Sequence, residues 1–327
     1  MTYQAPRWLP GPHAMTVFGA LVRRAPRLAL TTERWELPDG DFVDVERVAG
    51  PRPDAPLVVV CHGLEGSGRA HYVLGTLREA RRLGCAGLAL HFRSCSGAPN
   101  RLPRLYHSGE TGDLDWTVRR LAAERPGRPL GLVGFSLGGN VVAKYLGERG
   151  DDLPSEVRAG AVVSAPLDLA ACQAEIDRAG FWAARYRERF LRRLKRKALW
   201  KARQFPGLLD EQRVRAARTL RAFDDAVTAP LHGFRDAADY YARSSAGPRV
   251  ADVRRPLFVL NADDDPMVPG RTLPVEALRR NPLITFELWP AGGHVAFVSG
   301  PPWRAERWAE RRVAAWIAPR LGREERT

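Results

Sequence analysis

Short runs of apolar residues alternate with longer segments of helical periodicity along most of the chain. The apolar runs contain few polar positions, which is typical of strands buried on both faces of a sheet. We predict strands at residues 57–61, 85–92, 130–133, 159–164, 257–260 and 284–288. We predict helices at residues 71–83, 114–124, 141–146 and 303–317. This alternation favours the α/β class, with a mostly parallel twisted sheet and helices on both of its faces.

The two ends of the chain depart from this pattern. Residues 1–26 are rich in proline, and we predict that they form an irregular segment. Residues 32–48 alternate apolar and polar positions around the turn residues PDG at positions 38–40, which predicts a β-hairpin. The last predicted helix, at residues 303–317, is amphipathic and should pack on the sheet.

A long helical interruption lies between two of the predicted strands. From about residue 170 to residue 223 the sequence contains only helical, arginine-rich segments, which we interpret as an insertion in one domain that spans residues 1–327. Eight apolar side chains recur there at roughly helical spacing and are expected to form an apolar underside, with the arginines outward. These residues are Phe181, Trp182, Tyr186, Phe190, Leu191, Leu194, Leu199 and Trp200.

The stretch LGLVGFSLGGN at positions 130–140 places Ser136 between a predicted strand and a predicted helix. Gly134, Gly138 and Gly139 supply the small residues that a sharp turn around a serine needs. The Gly-x-Ser-x-Gly pattern alone is weak evidence, and the serine could occupy a tight turn without chemistry. A strand before it and a helix after it are typical of a nucleophile elbow. We therefore predict that Ser136 is a nucleophile.

An acid and a histidine follow the serine in the order that a nucleophile elbow requires. Asp263, Asp264 and Asp265 lie at the end of one predicted strand, and His294 lies in the loop after the next. Only one of the three carboxylates can face the imidazole, and the turn PMVP at positions 266–269 favours Asp265, with Asp264 as the second choice. His294 could instead be a buried structural histidine. We favour it as the general base because no other histidine follows the acidic cluster.

A serine nucleophile that attacks a carbonyl carbon also needs hydrogen-bond donors for the oxyanion. The backbone N–H of Leu137 follows the nucleophile, and that of Leu64 lies in the loop HGLEGSG after an early strand. We predict that these two groups form the oxyanion hole and that His62 has a structural role beside it. The histidines show no spacing typical of metal ligands, so we expect neither a metal nor a cofactor.

The net charge of +14 on 327 residues raises the question of an anionic partner. Between residues 173 and 221 there are 15 basic and 5 acidic side chains, so this segment carries +10 of the total. Arginine makes up 47 of the 51 basic residues, and coding bias would explain that skew equally well. An anionic membrane surface is therefore a candidate partner, and nucleic acid is a less favoured one.

Targeting signals and cysteines give further expectations. No apolar run approaches the roughly 18 residues of a membrane-spanning helix. The N-terminal residues include prolines where a signal peptide needs an apolar helix, so we expect a cytoplasmic protein. The four cysteines show no C-x-x-C spacing and imply neither disulfides nor zinc.

Several sequence blocks occur in the order found in one known family. They are HGLEGS, HFRSCSG, YHSGET, GFSLGGN, APLDL, FDDAVTAPLHGF, DYY, NADDDPMVP and GGHVAF. Across residues 8–317 the chain resembles the YheT-like α/β hydrolases, a family of bacterial esterases and related abhydrolase-domain proteins of plants and animals. The resemblance implies the α/β-hydrolase fold, with an insertion that forms a lid over the site. It also implies that Ser136, Asp265 and His294 form a catalytic triad.

The chain departs from the family pattern at three places. Ser94 stands where the family usually has glycine, His91 stands where it has asparagine, and the early block HLQT is HAMT at positions 13–16. Animal relatives carry an N-terminal membrane anchor, which we do not expect here. These differences concern the fit of the substrate rather than the triad.

The residues and the resemblance together predict a serine hydrolase that cleaves carboxylic esters of short or medium acyl chains, or lipid-like esters, through an acyl-enzyme. An acyltransferase with the same triad is an alternative, since only the second nucleophile would differ. A further alternative is a non-catalytic protein that binds anionic lipid or nucleic acid through the basic insertion.

Overall fold

The computed structural model describes residues 1–322, and within them eight strands form one twisted sheet. The strands are β1 (Thr31–Glu36), β2 (Phe42–Val48), β3 (Leu57–Cys61), β4 (Ala86–Leu90), β5 (Leu130–Phe135), β6 (Val157–Val163), β7 (Leu257–Ala262) and β8 (Ile284–Trp289). Their order across the sheet is β1-β2-β4-β3-β5-β6-β7-β8. The six strands from β3 to β8 are parallel to one another, and the β1-β2 hairpin adds to one edge in antiparallel orientation.

Helices cover both faces of the sheet, as the alternation of strands and helices predicted. Those outside the insertion are α1 (Gly11–Leu21), α2 (His71–Arg82), α3 (Gly112–Glu124), α4 (Leu137–Arg149), α11 (Val275–Arg280) and α12 (Trp308–Ile317). On one face, Leu57 and Val59 of β3 join a core cluster with α3 and α4. On the other face, Val58 and Val60 of the same strand pack with α2 and α12. Successive side chains of a strand point to opposite faces, so a continuous apolar run contributes to two cores at once.

The helical interruption lies between β6 and β7. Its helices are α5 (Leu169–Asp177), α6 (Phe181–Gln204), α7 (Glu211–Ala216), α8 (Leu220–Phe223), α9 (Ala229–His232) and α10 (Ala237–Ser244), with a π-helical turn at Asp224–Thr228. Helical structure therefore continues beyond residue 223, up to Ser244. A separate apolar cluster holds these helices together, with Leu191, Ala198 and Val214 at its centre.

Three details of the sequence prediction are wrong. The proline-rich N-terminal segment is not irregular, because α1 forms there with Pro12 in its first turn, where proline is tolerated. The last helix begins at Trp308 rather than at residue 303. Phe181 and Trp182 do not belong to the apolar underside of the insertion, since they are 71% and 40% exposed.

A pair of short strands, β9 (Val298–Ser299) and β10 (Glu306–Arg307), precedes α12. None of the helices in residues 1–322 is long and apolar enough to cross a membrane. All four cysteines are buried free thiols.

Candidate active site

Ser136 occupies a strained turn between β5 and α4. Its φ of 51° and ψ of −122° are unusual for a residue with a side chain. The turn is possible because the neighbouring residues are glycines. A Cβ atom at Gly134 would come within 2.2 Å of the Gly138 carbonyl oxygen, and one at Gly138 within 2.5 Å of the Cys61 carbonyl oxygen. Small residues on both sides of the serine thus let the strand and helix approach closely.

The structure brings Ser136, His294 and Asp265 into one hydrogen-bonded chain. The Ser136 Oγ lies 2.9 Å from His294 Nε2, and His294 Nδ1 lies 2.8 Å from Asp265 Oδ2. Because a carboxylate only accepts hydrogen bonds, it favours the proton on Nδ1 and leaves Nε2 to accept the serine proton. The three residues follow β5, β7 and β8, and the carboxyl ends of parallel strands meet at one edge of the sheet.

Two of the three aspartates after β7, Asp264 and Asp265, differ in their hydrogen-bond partners. The buried Asp265 carboxylate accepts hydrogen bonds from the backbone N–H groups of Met267 and Val268 at 2.9 and 3.0 Å, which fix its orientation towards the imidazole. Asp264 accepts a hydrogen bond from the Gly293 N–H at 3.0 Å. Burial raises the pKa of Asp264, and the neighbouring Asp265 adds to that effect. Only Asp265 therefore contacts the imidazole of His294.

The loop after β3 passes directly beside the serine. A Cβ atom at Gly63 would lie 3.1 Å from Ser136 Cβ. The N–H groups of Gly63 and Glu65 are engaged, because they donate to the hydroxyls of Tyr72 and Tyr106 at 2.9 and 2.7 Å. The intervening Leu64 N–H makes no hydrogen bond with the described residues. It is therefore available for an incoming ligand, and its role as an oxyanion donor stays a prediction.

The second expected donor, the N–H of Leu137, is the first of α4. The first N–H groups of a helix have no partner within it, and they lie at the positive end of the helix dipole. Leu64 and Leu137 both line the cavity that contains Ser136 and His294. The structure thus places both residues at the site, next to the nucleophile.

A buried histidine supports the loop after β3. His62 Nδ1 lies 2.8 Å from the Gly63 carbonyl oxygen, and its Nε2 accepts a hydrogen bond from the Phe92 N–H at 3.2 Å. Burial lowers the pKa of His62 to about 3, so its imidazole stays neutral and can accept that bond. This arrangement agrees with a structural role for His62.

The insertion holds the same loop from the other side. Glu65, which has a positive φ of 54°, accepts hydrogen bonds from Lys197 Nζ and the Tyr106 hydroxyl, both at 2.8 Å. Arg193 donates to the Glu65 carbonyl oxygen at 3.0 Å. Two basic residues of α6 therefore point inward and fix the loop that carries Leu64, although the sequence pattern indicated that the basic face was outward.

The N-terminal segment contacts the loop of His294, a role that sequence reasoning missed. The Thr16 hydroxyl accepts a hydrogen bond from the His294 N–H at 2.9 Å, and Arg23 donates to the Ala296 carbonyl oxygen at 2.7 Å. Tyr3 donates to the Val298 carbonyl oxygen at 3.0 Å. The block HAMT at positions 13–16 was the available signal, but its spacing alone indicates no contact with His294.

The two other departures from the family pattern lie in the segment that follows β4. Ser94 has a φ of 62°, a conformation that suits glycine better, and its hydroxyl hydrogen bonds to the Asn100 side chain at 2.6 Å. The buried His91 accepts a hydrogen bond from the Gly68 N–H at 3.1 Å and lies 3.3 Å from a Glu46 oxygen. Both side chains are thus used in local structure.

A cavity of about 120 Å³ opens at Ser136 and His294. Helices of the insertion form much of its wall, and the lining is mainly apolar. The apolar residues include Leu64, Leu137, Leu169, Ile176, Phe190, Leu194, Leu220, Phe223, Met267 and Val268. An apolar chain would fit these surroundings, because its transfer from water is favourable.

One carboxyl group interrupts this apolar lining. Asp224 accepts hydrogen bonds from Thr228 Oγ1 at 2.6 Å and from the Tyr241 hydroxyl at 2.7 Å. Burial raises the pKa of Asp224 to about 7, in spite of these two donors. The cavity therefore contains a group that changes charge near neutral pH.

Comparisons with known proteins identify a family and relatives with the same fold. Residues 56–301 match the alpha/beta hydrolase fold family. The chain is 39% identical to "Putative esterase YheT" of Escherichia coli over 314 residues, which are 94% of this chain and 91% of that protein. It is 31% identical to "Monoacylglycerol lipase" of Saccharomyces cerevisiae over 77% of this chain and 57% of that protein. An esterase structure from Pyrococcus furiosus has the same fold, with a TM-score of 0.57 and 17% identity over 92% of this chain and 99% of that one.

Proposed function

Since this chain belongs to the alpha/beta hydrolase fold family, we propose that it cleaves carboxylic esters through an acyl-enzyme formed on Ser136. Hydrolase activity of the esterase or lipase type follows from the family and from the relatives described above. The residue roles rest on one observation, the hydrogen-bonded chain from Ser136 through His294 to Asp265.

In the first half of the reaction, Ser136 Oγ attacks the ester carbonyl carbon while His294 Nε2 takes the hydroxyl proton. The negative charge moves to the carbonyl oxygen, where the N–H groups of Leu64 and Leu137 stabilise it. The carbon–oxygen bond to the alcohol then breaks, and the imidazolium returns its proton to the leaving alcohol. Asp265 keeps the imidazole in the required tautomer and stabilises its positive charge.

In the second half, water attacks the acyl-enzyme with His294 as general base. The same two N–H groups stabilise the second oxyanion. Collapse of this intermediate releases the carboxylic acid and returns the proton to Ser136. No group outside the chain and the two reactants is needed for this balance.

The substrate class that we propose is an ester of a short- or medium-chain acid, or a lipid-like ester. The apolar cavity supports this choice, because it offers an acyl chain a surface formed by residues such as Phe190 and Leu194. The names of two relatives, an esterase and a monoacylglycerol lipase, point to the same class.

We further propose that residues 170–223 act as a lid within a single domain of residues 1–327. Helices α5, α6 and α8 contribute Ile176, Phe190 and Phe223 to the cavity wall, so a substrate passes beside them. Closure of such a segment would enclose the substrate beside Ser136 and separate the reacting groups from bulk solvent.

A fluorophosphonate probe tests the nucleophile, because it labels only an activated serine. We expect the probe to label the protein, and we expect Ser136→Ala to lose both labelling and hydrolysis of p-nitrophenyl esters. Ser155→Ala, at an exposed serine before β6, is the matched control and should keep both. Labelling or turnover that survives in Ser136→Ala would contradict the proposal. A series of p-nitrophenyl esters then measures the preferred acyl length.

A further inference from the structure

The outward face of α6 carries a row of exposed arginines. They recur at intervals of three, four and seven residues, so they lie on one side of the helix. The members of this arginine row are Arg185, Arg189, Arg192, Arg196 and Arg203. Arg185 pairs with the exposed Glu188 at 3.0 Å. The other four make neither an ion pair nor a hydrogen bond with any described residue.

The inward bases of the same helix are used within the protein. Arg193 and Lys197 bind Glu65, and the buried Lys201 donates to the Asn100 carbonyl oxygen at 2.7 Å. The helix therefore divides its basic residues into an inner set that holds the molecule together and an outer set that does not. Coding bias accounts for the number of arginines but gives no reason for this division.

Neighbouring positive charges disfavour the charged form of one member of the row, Arg189. The pKa of Arg189 is lowered, first by partial burial and then by the positive charges of Arg193 and Arg192. Glu188 is the only acidic side chain of α6, and it already pairs with Arg185. A surface of this kind is complementary to an extended array of negative charge.

Exposed apolar residues extend the row at its N-terminal end. Phe181 and Trp182 contact each other with ring centroids 5.3 Å apart, and Trp182 stacks on His13 of α1 at 4.9 Å. Leu21 and Val22 at the end of α1 are 65% and 57% exposed. Trp182 and Val22 line one shallow groove. Neighbouring exposed apolar residues are typical of an interaction site.

A row of four side chains on α6 connects this apolar end with the cavity. Trp182, Tyr186, Phe190 and Leu194 follow one another at intervals of four residues, so they lie along one face of the helix. Trp182 is at the surface, whereas Phe190 and Leu194 line the cavity that contains Ser136. Tyr186 lies between them and packs on Met267 and Val268, which also line the cavity.

We infer that the arginine row and the apolar end of α6 dock on an anionic lipid bilayer. The arginines face the lipid phosphates, while Phe181 and Trp182 enter the boundary between headgroups and acyl chains. This orientation places the apolar row of α6 between the bilayer and the cavity. The docking surface does not depend on the proposed hydrolysis, although it would bring a lipid-like ester to the site.

A bilayer fits the observations better than a nucleic acid does. A nucleic acid would account for the arginine row through its phosphates. It would leave unexplained the exposed Leu21 and Val22, because aliphatic side chains do not stack on bases. It would also leave unexplained the apolar connection to the cavity. A membrane surface accounts for the charge and the apolar residues together.

Vesicle flotation of the full chain tests this inference. We expect the protein to float with vesicles of phosphatidylcholine and phosphatidylglycerol but not with phosphatidylcholine alone, and high salt should weaken the binding. The variant Arg189→Gln/Arg192→Gln/Arg196→Gln/Arg203→Gln should lose roughly 100-fold or more in affinity, because each arginine near an anionic surface contributes. Phe181→Ser/Trp182→Ser should weaken binding by about tenfold or more.

Two controls match these variants in charge and in apolar character. Arg158→Gln/Arg254→Gln/Arg279→Gln/Arg280→Gln removes four exposed arginines near the opposite edge of the sheet. Trp303→Ser removes an indole that is 86% exposed. Both controls should bind vesicles like the unmodified protein, and all variants should keep the melting temperature and the turnover of a water-soluble ester.

Three results would overturn the inference. The first is an unmodified protein that does not float with anionic vesicles. The second is a charge control that loses as much binding as the variant of the arginine row, since net charge alone would then decide. The third is a protein that binds single-stranded RNA through the arginine row but does not bind vesicles. Flotation reports on docking without hydrolysis, so failure of the proposed ester chemistry would remain a separate result.

Discussion

The backbone N–H of His294 donates a hydrogen bond to the hydroxyl of Thr16, 2.9 Å away and 278 positions earlier in the chain. The same hydroxyl donates to the Pro12 carbonyl oxygen at 2.7 Å, so its direction is fixed by α1. The histidine loop is strained, because Val295 and Phe297 have φ angles of 60° and 37°. Contacts from α1 thus hold the imidazole where it meets the serine.

We expect Thr16→Val to lower kcat by about tenfold to 100-fold, since a small displacement of a reacting group is costly. Thr16→Ser keeps the hydroxyl and should retain most of the activity. Steady-state kinetics on a soluble ester would separate kcat from KM, and a thermal melt would check the fold. Equal kcat in Thr16→Val and the unmodified protein would remove Thr16 from the positioning of His294.

The orienting acid can be identified by amide substitution. Asp265→Asn should lower kcat by at least about 100-fold, because an amide favours the wrong imidazole tautomer. Asp264→Asn should cost less than about tenfold, since its amide oxygen can still accept the Gly293 N–H. Both variants should melt near the unmodified protein. An inactive Asp264→Asn variant together with an active Asp265→Asn variant would contradict the assignment of Asp265 as the orienting acid.

Asp224 should make stability depend on pH. In the folded protein the Asp224 carboxyl group keeps its proton up to about pH 7, whereas a free aspartate releases it near pH 3.8. The free energy of unfolding therefore falls as the pH rises between these values. Asn at this position cannot titrate. The melting temperature of Asp224→Asn relative to the unmodified protein should therefore be higher at about pH 8 than at about pH 5. A difference that is constant with pH would show that Asp224 ionises normally.

The cavity wall should determine the preferred acyl length. Leu194→Trp adds volume where the apolar lining faces Ser136, so it should reduce kcat/KM for octanoyl esters relative to acetyl esters by about tenfold or more. Leu283→Trp, at an exposed leucine before β8, is the matched control. An unchanged ratio of the two substrates in Leu194→Trp would place the acyl chain elsewhere.

Local sequence patterns predicted most of the strands and helices, because each depends on nearby residues. The run at residues 57–61 coincides with β3, and the predicted helix at residues 71–83 ends one residue beyond α2. The pattern failed at α1, since proline suggested an irregular segment although its position in the first turn permits a helix. It also failed at Phe181 and Trp182, because helical spacing identifies an apolar face without showing what covers it.

The sequence by itself determined which strand each motif follows, and so predicted the serine, the acid cluster and the histidine at one edge of a parallel sheet. The choice of Asp265 could be made from the turn that follows it. Only the tertiary structure decided which distant groups meet these residues, as Thr16 meets His294 and Lys197 meets Glu65. The reason is physical: periodicity depends on neighbours in sequence, whereas a hydrogen bond between distant segments depends on how whole helices pack, which no local pattern specifies.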